Sequence, residues 1–243
     1  MSLSSNKKIL DNMMNKYKLT EEEQAELWNS IKDIFNHPEF QRRMSPDFPH
    51  HDRINLGEHI LEDTIVTYIL SKKVKKSNYN RDLALKISMF HDFYIEPWQN
   101  NVKSKNNKFH NKHGFRHPVE AIIAAMTYFP EYFKDIDEAK IIIDGVLHHM
   151  HPFPVRKVEL TGENVMELNN WDQLLKLNSK LAITMLICTS RNTLGKYSFS
   201  HSLFKEGRVM SRADKIVSRL NMKESSLEGF IALISGRNKN LDK

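Results

Sequence analysis

Histidines and the acids beside them carry the chemistry of this chain. Ten of its twelve histidines fall between His50 and His151, gathered where helical periodicity starts or stops. Neutral imidazole suits borderline transition metals, and carboxylates suit harder ions and can bridge two of them. Four positions form a set on those terms: His59, the adjacent pair His91 and Asp92 in "SMFHDFY", and the distant Asp214 in "SRADKIVSR". Such a His2Asp2 cluster fits Mn, Fe, Zn, Ni, Co or Mg. Neighbouring helical residues point about 100° apart, so His91 and Asp92 can serve one ion only if it sits between their directions. The second oxygen of Asp92 is then available to another ion.

The elements that must position these residues read as helices throughout, and the expected fold class is all-α. Thr20 with Glu23 makes a capping box ahead of Ala25, Trp28, Ile31 and Phe35, and His37-Pro38 ends that helix. After the loop "SPDFPHHDR", Asn55 with Glu58 opens a helix to about Lys72, with Leu61, Ile65, Tyr68 and Ile69 inward. A third helix starts near Asn80 and buries Leu83, Ala84, Ile87 and Phe90 before reaching His91. Pro118 suits a first helical position, which puts His117 at a helix start. Asp137 is expected to cap a helix running through Met150. Further helices are read at about 171–190, 207–221 and 227–234.

Five ordered blocks, "HDFYIEPW", "HGFRHPVEA", "FPE", "HHMHP" and "SRADK", span roughly residues 45–222. Together with His59 they resemble the HD superfamily of metal-dependent phosphohydrolases, in a bacterial branch that carries HD, HGF-x-HP, HM-x-P and A-D-K. The resemblance implies an HD-domain helical bundle at 45–222, an N-terminal helical extension at 1–44, an insertion or lid at 153–207, and a C-terminal helix and tail at 223–243. It implies His59, His91, Asp92 and Asp214 as ligands of a first ion. Where a second ion is bound, His117 and His149 would hold it, with Asp92 bridging. His149 is favoured over His148, which faces back toward Asp144 four residues earlier.

His50 and His51 lie on the loop before the first ligand, where similar proteins place a histidine that reaches bound phosphate. The family often has a lysine just after His-Asp; here Phe93, Tyr94, Ile95 and Glu96 follow. The cation that grips phosphate is therefore expected from Lys103 or Arg116. Phe93, Tyr94 and Trp98 could stack on a nucleobase, although aromatics beside a helix end are more often core; Trp98 is the candidate kept for substrate. The implied activity is cleavage of a phosphomonoester or phosphodiester, a nucleotide among them, by water activated on one or two divalent ions. The alternative is a nucleotide-sensing or interaction module that keeps the scaffold without turnover. No G-x-S-x-G, phosphate-binding Gly-rich loop or dinucleotide fingerprint is present.

Length and composition agree with a single core: 243 residues, 40% hydrophobic, eight glycines and eight prolines. One cysteine, Cys188, excludes an internal disulfide framework and points to a reducing compartment, the cytoplasm being the expectation. The N-terminal residues lack the apolar run of a secretory signal, and "LAITMLICT" is too short to cross a bilayer. A formal charge of +6 fits a phosphorylated small molecule. Nucleic acid is compatible on charge alone, but no helix carries a Lys/Arg stripe interleaved with aromatics. Self-association is left open.

Overall fold

A computed structural model of the chain describes residues 2–50, 54–75, 78–97, 113–158 and 179–222. Helices dominate, and strand among the described residues is confined to five two-residue pieces. No described helix is long and apolar enough to cross a membrane. The chain divides into two compact units, residues 1–79 with 212–243, and residues 80–211.

In the first unit, α1 (Leu3–Lys16) is capped by the Ser2 hydroxyl, and α2 (Glu21–Asn36) by the expected Thr20–Glu23 box. The buried side of α2 is Leu27, Ile31, Ile34 and Phe35. Trp28 is half-buried and Ala25 is exposed, so the inward stripe is rotated from the sequence reading. His37 ends α2 and caps α3 (Pro38–Arg43), with Pro38 at its first position. A short hairpin follows, β1 (Pro49–His50) pairing antiparallel with β2 (Ile54–Asn55), with His50 opposite Ile54. Asn55 then caps α4 (Leu56–Ser71) through the second expected box, Asn55 with Glu58. Fourteen of the sixteen residues of α4 are buried. A helix enclosed on all sides must pair its polar groups internally. Glu62 does so by accepting from the Tyr17 hydroxyl at 2.7 Å and Lys16 Nζ at 3.0 Å.

In the second unit, Asn80 caps α5 (Arg81–Phe90) by accepting from the Leu83 amide. The next helix, α6 (His113–Tyr128), begins five residues before Pro118 and holds the proline inside it. A proline so near the start forgoes a single main-chain bond, to the Gly114 carbonyl, which explains why the helix extends past the expected start. The helix α7 (Ile136–Leu147) is capped by Asp135, whose carboxylate accepts from the amides of Asp137 and Glu138. Asp137 therefore lies inside the first turn, and the helix stops at Leu147, earlier than the sequence suggested. After α7 come β3 (Val155–Arg156), α8 (Ser179–Thr189), β4 (Thr193–Leu194) and β5 (Tyr197–Ser198), the strands forming a sheet in the order β3-β5-β4. The unit boundary falls within α9 (Lys205–Met222). The segment expected at 227–234 lies outside the described residues.

Packing of α7 is close enough to demand glycine. A Cβ at Gly145 would stand 2.6 Å from the Ile87 side chain on α5, and one at Gly207 would stand 2.7 Å from the Cα of Gly145. These approaches set the spacing of α5, α7 and the start of α9.

Candidate metal centre

In the second unit, three segments that each end or begin a helix deliver side chains to one place. Asp92 lies just beyond α5, His117 lies on α6, and His149 lies in the turn after α7. His117 Nε2 is 3.1 Å from Asp92 Oδ1 and 3.0 Å from His149 Nε2, and His149 Nε2 is 3.6 Å from the same Asp92 oxygen. All three residues are buried. Asp92 is further fixed by its main chain, its carbonyl accepting from the Tyr94 amide at 2.8 Å.

The tautomers of two histidines follow from their partners. His149 Nδ1 is 2.7 Å from the Val146 carbonyl, and His91 Nδ1 is 2.7 Å from the Ser88 carbonyl. A carbonyl only accepts, so each Nδ1 carries the proton and each Nε2 presents a lone pair. A backbone carbonyl on the far ring nitrogen is the usual way a ligand imidazole is oriented. The Ser211 hydroxyl also donates to the His149 carbonyl, holding that turn against α9. The His91 ring lies edge-on to that of His149, centroids 5.2 Å apart.

In the first unit, His59 on the first turn of α4, Asp63 one turn later and Asp214 on α9 place ligand atoms within 4.8 Å of one another. His59 Nε2 is 3.2 Å from Asp63 Oδ2. The β1–β2 hairpin folds His50 back so that its ring stacks on His59, centroids 4.1 Å apart and 20° from parallel. Asp214 also accepts from the Ser218 hydroxyl at 3.0 Å.

Both groups have the donor chemistry and spacing of a metal centre. With bonds of about 2.1 Å, two donors at a right angle stand about 3.0 Å apart, and two at the tetrahedral angle about 3.4 Å apart. The separations of 3.0, 3.1 and 3.6 Å in the second unit, and 3.2 Å in the first, match such edges. This is an all-α protein with buried His/Asp groups positioned to hold a metal ion. Comparison of the chain with protein-family models, curated proteins and solved structures finds no match.

Of the other residues singled out in the sequence, His51, Trp98 and Lys103 lie outside the described residues. Arg116 pairs with Glu120 one turn along α6 at 3.0 Å. Phe93 and Tyr94 are fully buried, Tyr94 standing edge-on to His117. His148 is separated from the metal-type donors of its neighbour: its Nε2–H donates to the Cys188 carbonyl at 3.2 Å, and burial pushes its pKa down to about 4.

One group escaped the sequence reading, and another was read only as a partner of His148. Asp63 stands four residues after His59, a spacing that does place both on one helical face. Asp144 is a buried hub that accepts from Arg191, from the Ser202 hydroxyl at 2.7 Å and from the Leu203 amide at 2.8 Å. These donors lie 47 to 59 residues away, beyond the local pattern that showed only His148 facing it.

Proposed function

We propose that the protein is a metal-dependent phosphohydrolase of the HD superfamily, cleaving a phosphomonoester or phosphodiester, with nucleotides the substrate class to test first. The observation that carries this reading is the convergence of Asp92, His117 and His149 from three separate helix ends into one buried donor set. That convergence, of residues 57 positions apart in sequence, is what the resemblance implies for members that bind a second ion.

A divalent ion held there would supply water with its pKa lowered from 15.7 to roughly 7, and positive charge beside the phosphoryl oxygens. The remaining work belongs to side chains. Asp92, His117 and His149 would hold the ion, and their burial would keep bulk water from screening it. The ligand set taken from the resemblance adds His59, His91 and Asp214. His50 and His51 are the imidazoles assigned to reach the bound phosphate. Lys103 and Arg116 are assigned to phosphate, Arg116 by exchanging Glu120 for the substrate, and Trp98 to the base.

The test is hydrolysis of an aryl phosphate and a nucleotide panel with Mn2+, Co2+, Ni2+, Zn2+, Fe2+ and Mg2+. Asp92→Asn and His117→Ala are each expected to lower kcat by about 100-fold or more, since loss of a ligand exceeds the 10- to 100-fold effect typical of the residues that support one. Activity that survives both substitutions removes the assignment. Tight nucleotide binding without turnover under every metal would instead identify a sensing module, and oxygen uptake with iron would identify an oxygenase.

A further inference from the structure

We propose that Asp63 is a direct carboxylate ligand of the ion held by His59 and Asp214, a role that no motif in the sequence assigns to it. The proposal rests on the metal-binding half of the function above and is independent of phosphate hydrolysis.

Position comes first. His59 and Asp63 are separated by one turn of α4 and point from the same face, and both side chains are almost completely withdrawn from solvent, 1% and 0% exposed. Their closest approach is Asp63 Oδ2 to His59 Nε2 at 3.2 Å, the separation of two donors on one ion. The nitrogen involved is informative. A carboxylate that only orients a ligand imidazole approaches the ring nitrogen turned away from the metal, which in His91 and His149 is Nδ1, bonded to a backbone carbonyl. Asp63 approaches Nε2, the nitrogen those two histidines leave for the ion.

Charge gives the second argument. The ligand atoms of Asp63 and Asp214 lie within 4.8 Å of each other, in residues that are 0% and 7% exposed. Two carboxylates that close repel in a medium of low dielectric constant, and a shared divalent cation turns the repulsion into two attractions. With Asp63 counted, two carboxylates stand among the donors gathered at His59, whereas the Asp92, His117 and His149 set of the second unit offers one carboxylate and two imidazoles. The second carboxylate makes the set at His59 better suited to harder ions such as Mn2+ and Mg2+ than the nitrogen-rich set, which suits Zn2+, Ni2+ or Co2+.

The experiment is a titration of the metal-stripped full-length chain with Mn2+ and, separately, Zn2+, followed by calorimetry and Mn2+ electron paramagnetic resonance. Asp63→Asn is expected to weaken Mn2+ binding by about 10- to 100-fold while Zn2+ binding at the nitrogen-rich set changes less than about threefold. Asp63→Glu, which restores the carboxylate, should recover part of the Mn2+ affinity. The metal-free Tm guards against a folding artefact: Asp63→Asn should match or exceed the wild type there and lose only the rise in Tm on adding Mn2+. An asparagine retains the ability to hydrogen-bond His59, so Mn2+ affinity within threefold of wild type in Asp63→Asn would mean an orienting role and overturn the proposal. A wild-type chain that binds Mn2+ through Asp63 but hydrolyses no phosphate ester would sink the enzymatic reading and leave this inference standing.

Discussion

Cys188 sits at the inner side of α8, and burial pushes its thiol up from 9.0 to about 12. The protonated thiol is the form the fold accepts. Because the folded pKa is raised above the unfolded one, this contribution to stability is complete below about pH 9 and is lost as pH climbs toward 12. At pH 8.5 iodoacetamide should therefore label native protein slowly and urea-unfolded protein fast; equal rates would contradict the packing around α8. The buried thiol thus has a measurable signature. At the same scale, residue type made His59, His91, Asp92, His117, His149 and Asp214 visible, because imidazoles and carboxylates that punctuate apolar helices have few other reasons to be there. Type alone could not separate Asp63 and Asp144 from the other acids of the chain. Whether an aspartate binds metal, caps a helix as Asp135 does, or pairs from the interior with a half-buried arginine as Asp144 does depends on what packs against it. Nor could it rank His148 against His149 except by helical phase, which points His149 toward His117 and leaves His148 with the Cys188 carbonyl.

Between residue and molecule, the helices α5 and α7 carry Asp92 and His149 at their ends, so the distance between those donors is set by how closely the two helices pack. Gly145 permits that approach by leaving room for Ile87. Gly145→Ala is expected to destabilise by about 1–3 kcal/mol, the usual cost of overpacking. Gly207→Ala should cost more. Its Cβ would meet the Gly145 backbone at 2.7 Å as well as the Ser202 side chain, and a backbone cannot rotate aside as Ile87 can. Thermal or urea unfolding of the two variants checks the order, and a Gly207→Ala protein as stable as wild type would show that α7 and α9 are not held at this distance. Elements set by local chemistry were legible: the Thr20–Glu23 and Asn55–Glu58 boxes and the Asn80 cap need only three or four consecutive residues. Elements that depend on distant packing were not. The two-residue strands have no room to show an alternating pattern, and the turn of α6 ahead of Pro118 runs against the local preference of proline.

Charge acts on the molecule as a whole. With 36 Lys and Arg against 30 Asp and Glu, the chain attracts anions from a distance, and the field is screened beyond about 10 Å at 0.1 M salt. Five of the acids are engaged inside the fold: Asp92, Asp214 and Asp63 among the metal-type donors, Asp144 beneath Arg191, and Glu62 under Tyr17 and Lys16. If a phosphate ester is the substrate, this field should speed its arrival and not its cleavage. Raising ionic strength from 20 to 200 mM is then expected to lower kcat/KM for a dianionic aryl phosphate severalfold with kcat nearly unchanged. Replacing Lys103, Lys105, Lys108 and Lys112 by glutamine takes the formal charge from +6 to about +2, and should flatten that salt dependence while sparing metal binding. A salt slope untouched by the four substitutions would mean that this run plays no part in drawing the substrate in. A drop in kcat would instead mean that one of these lysines grips the phosphate during reaction, the role assigned above to Lys103.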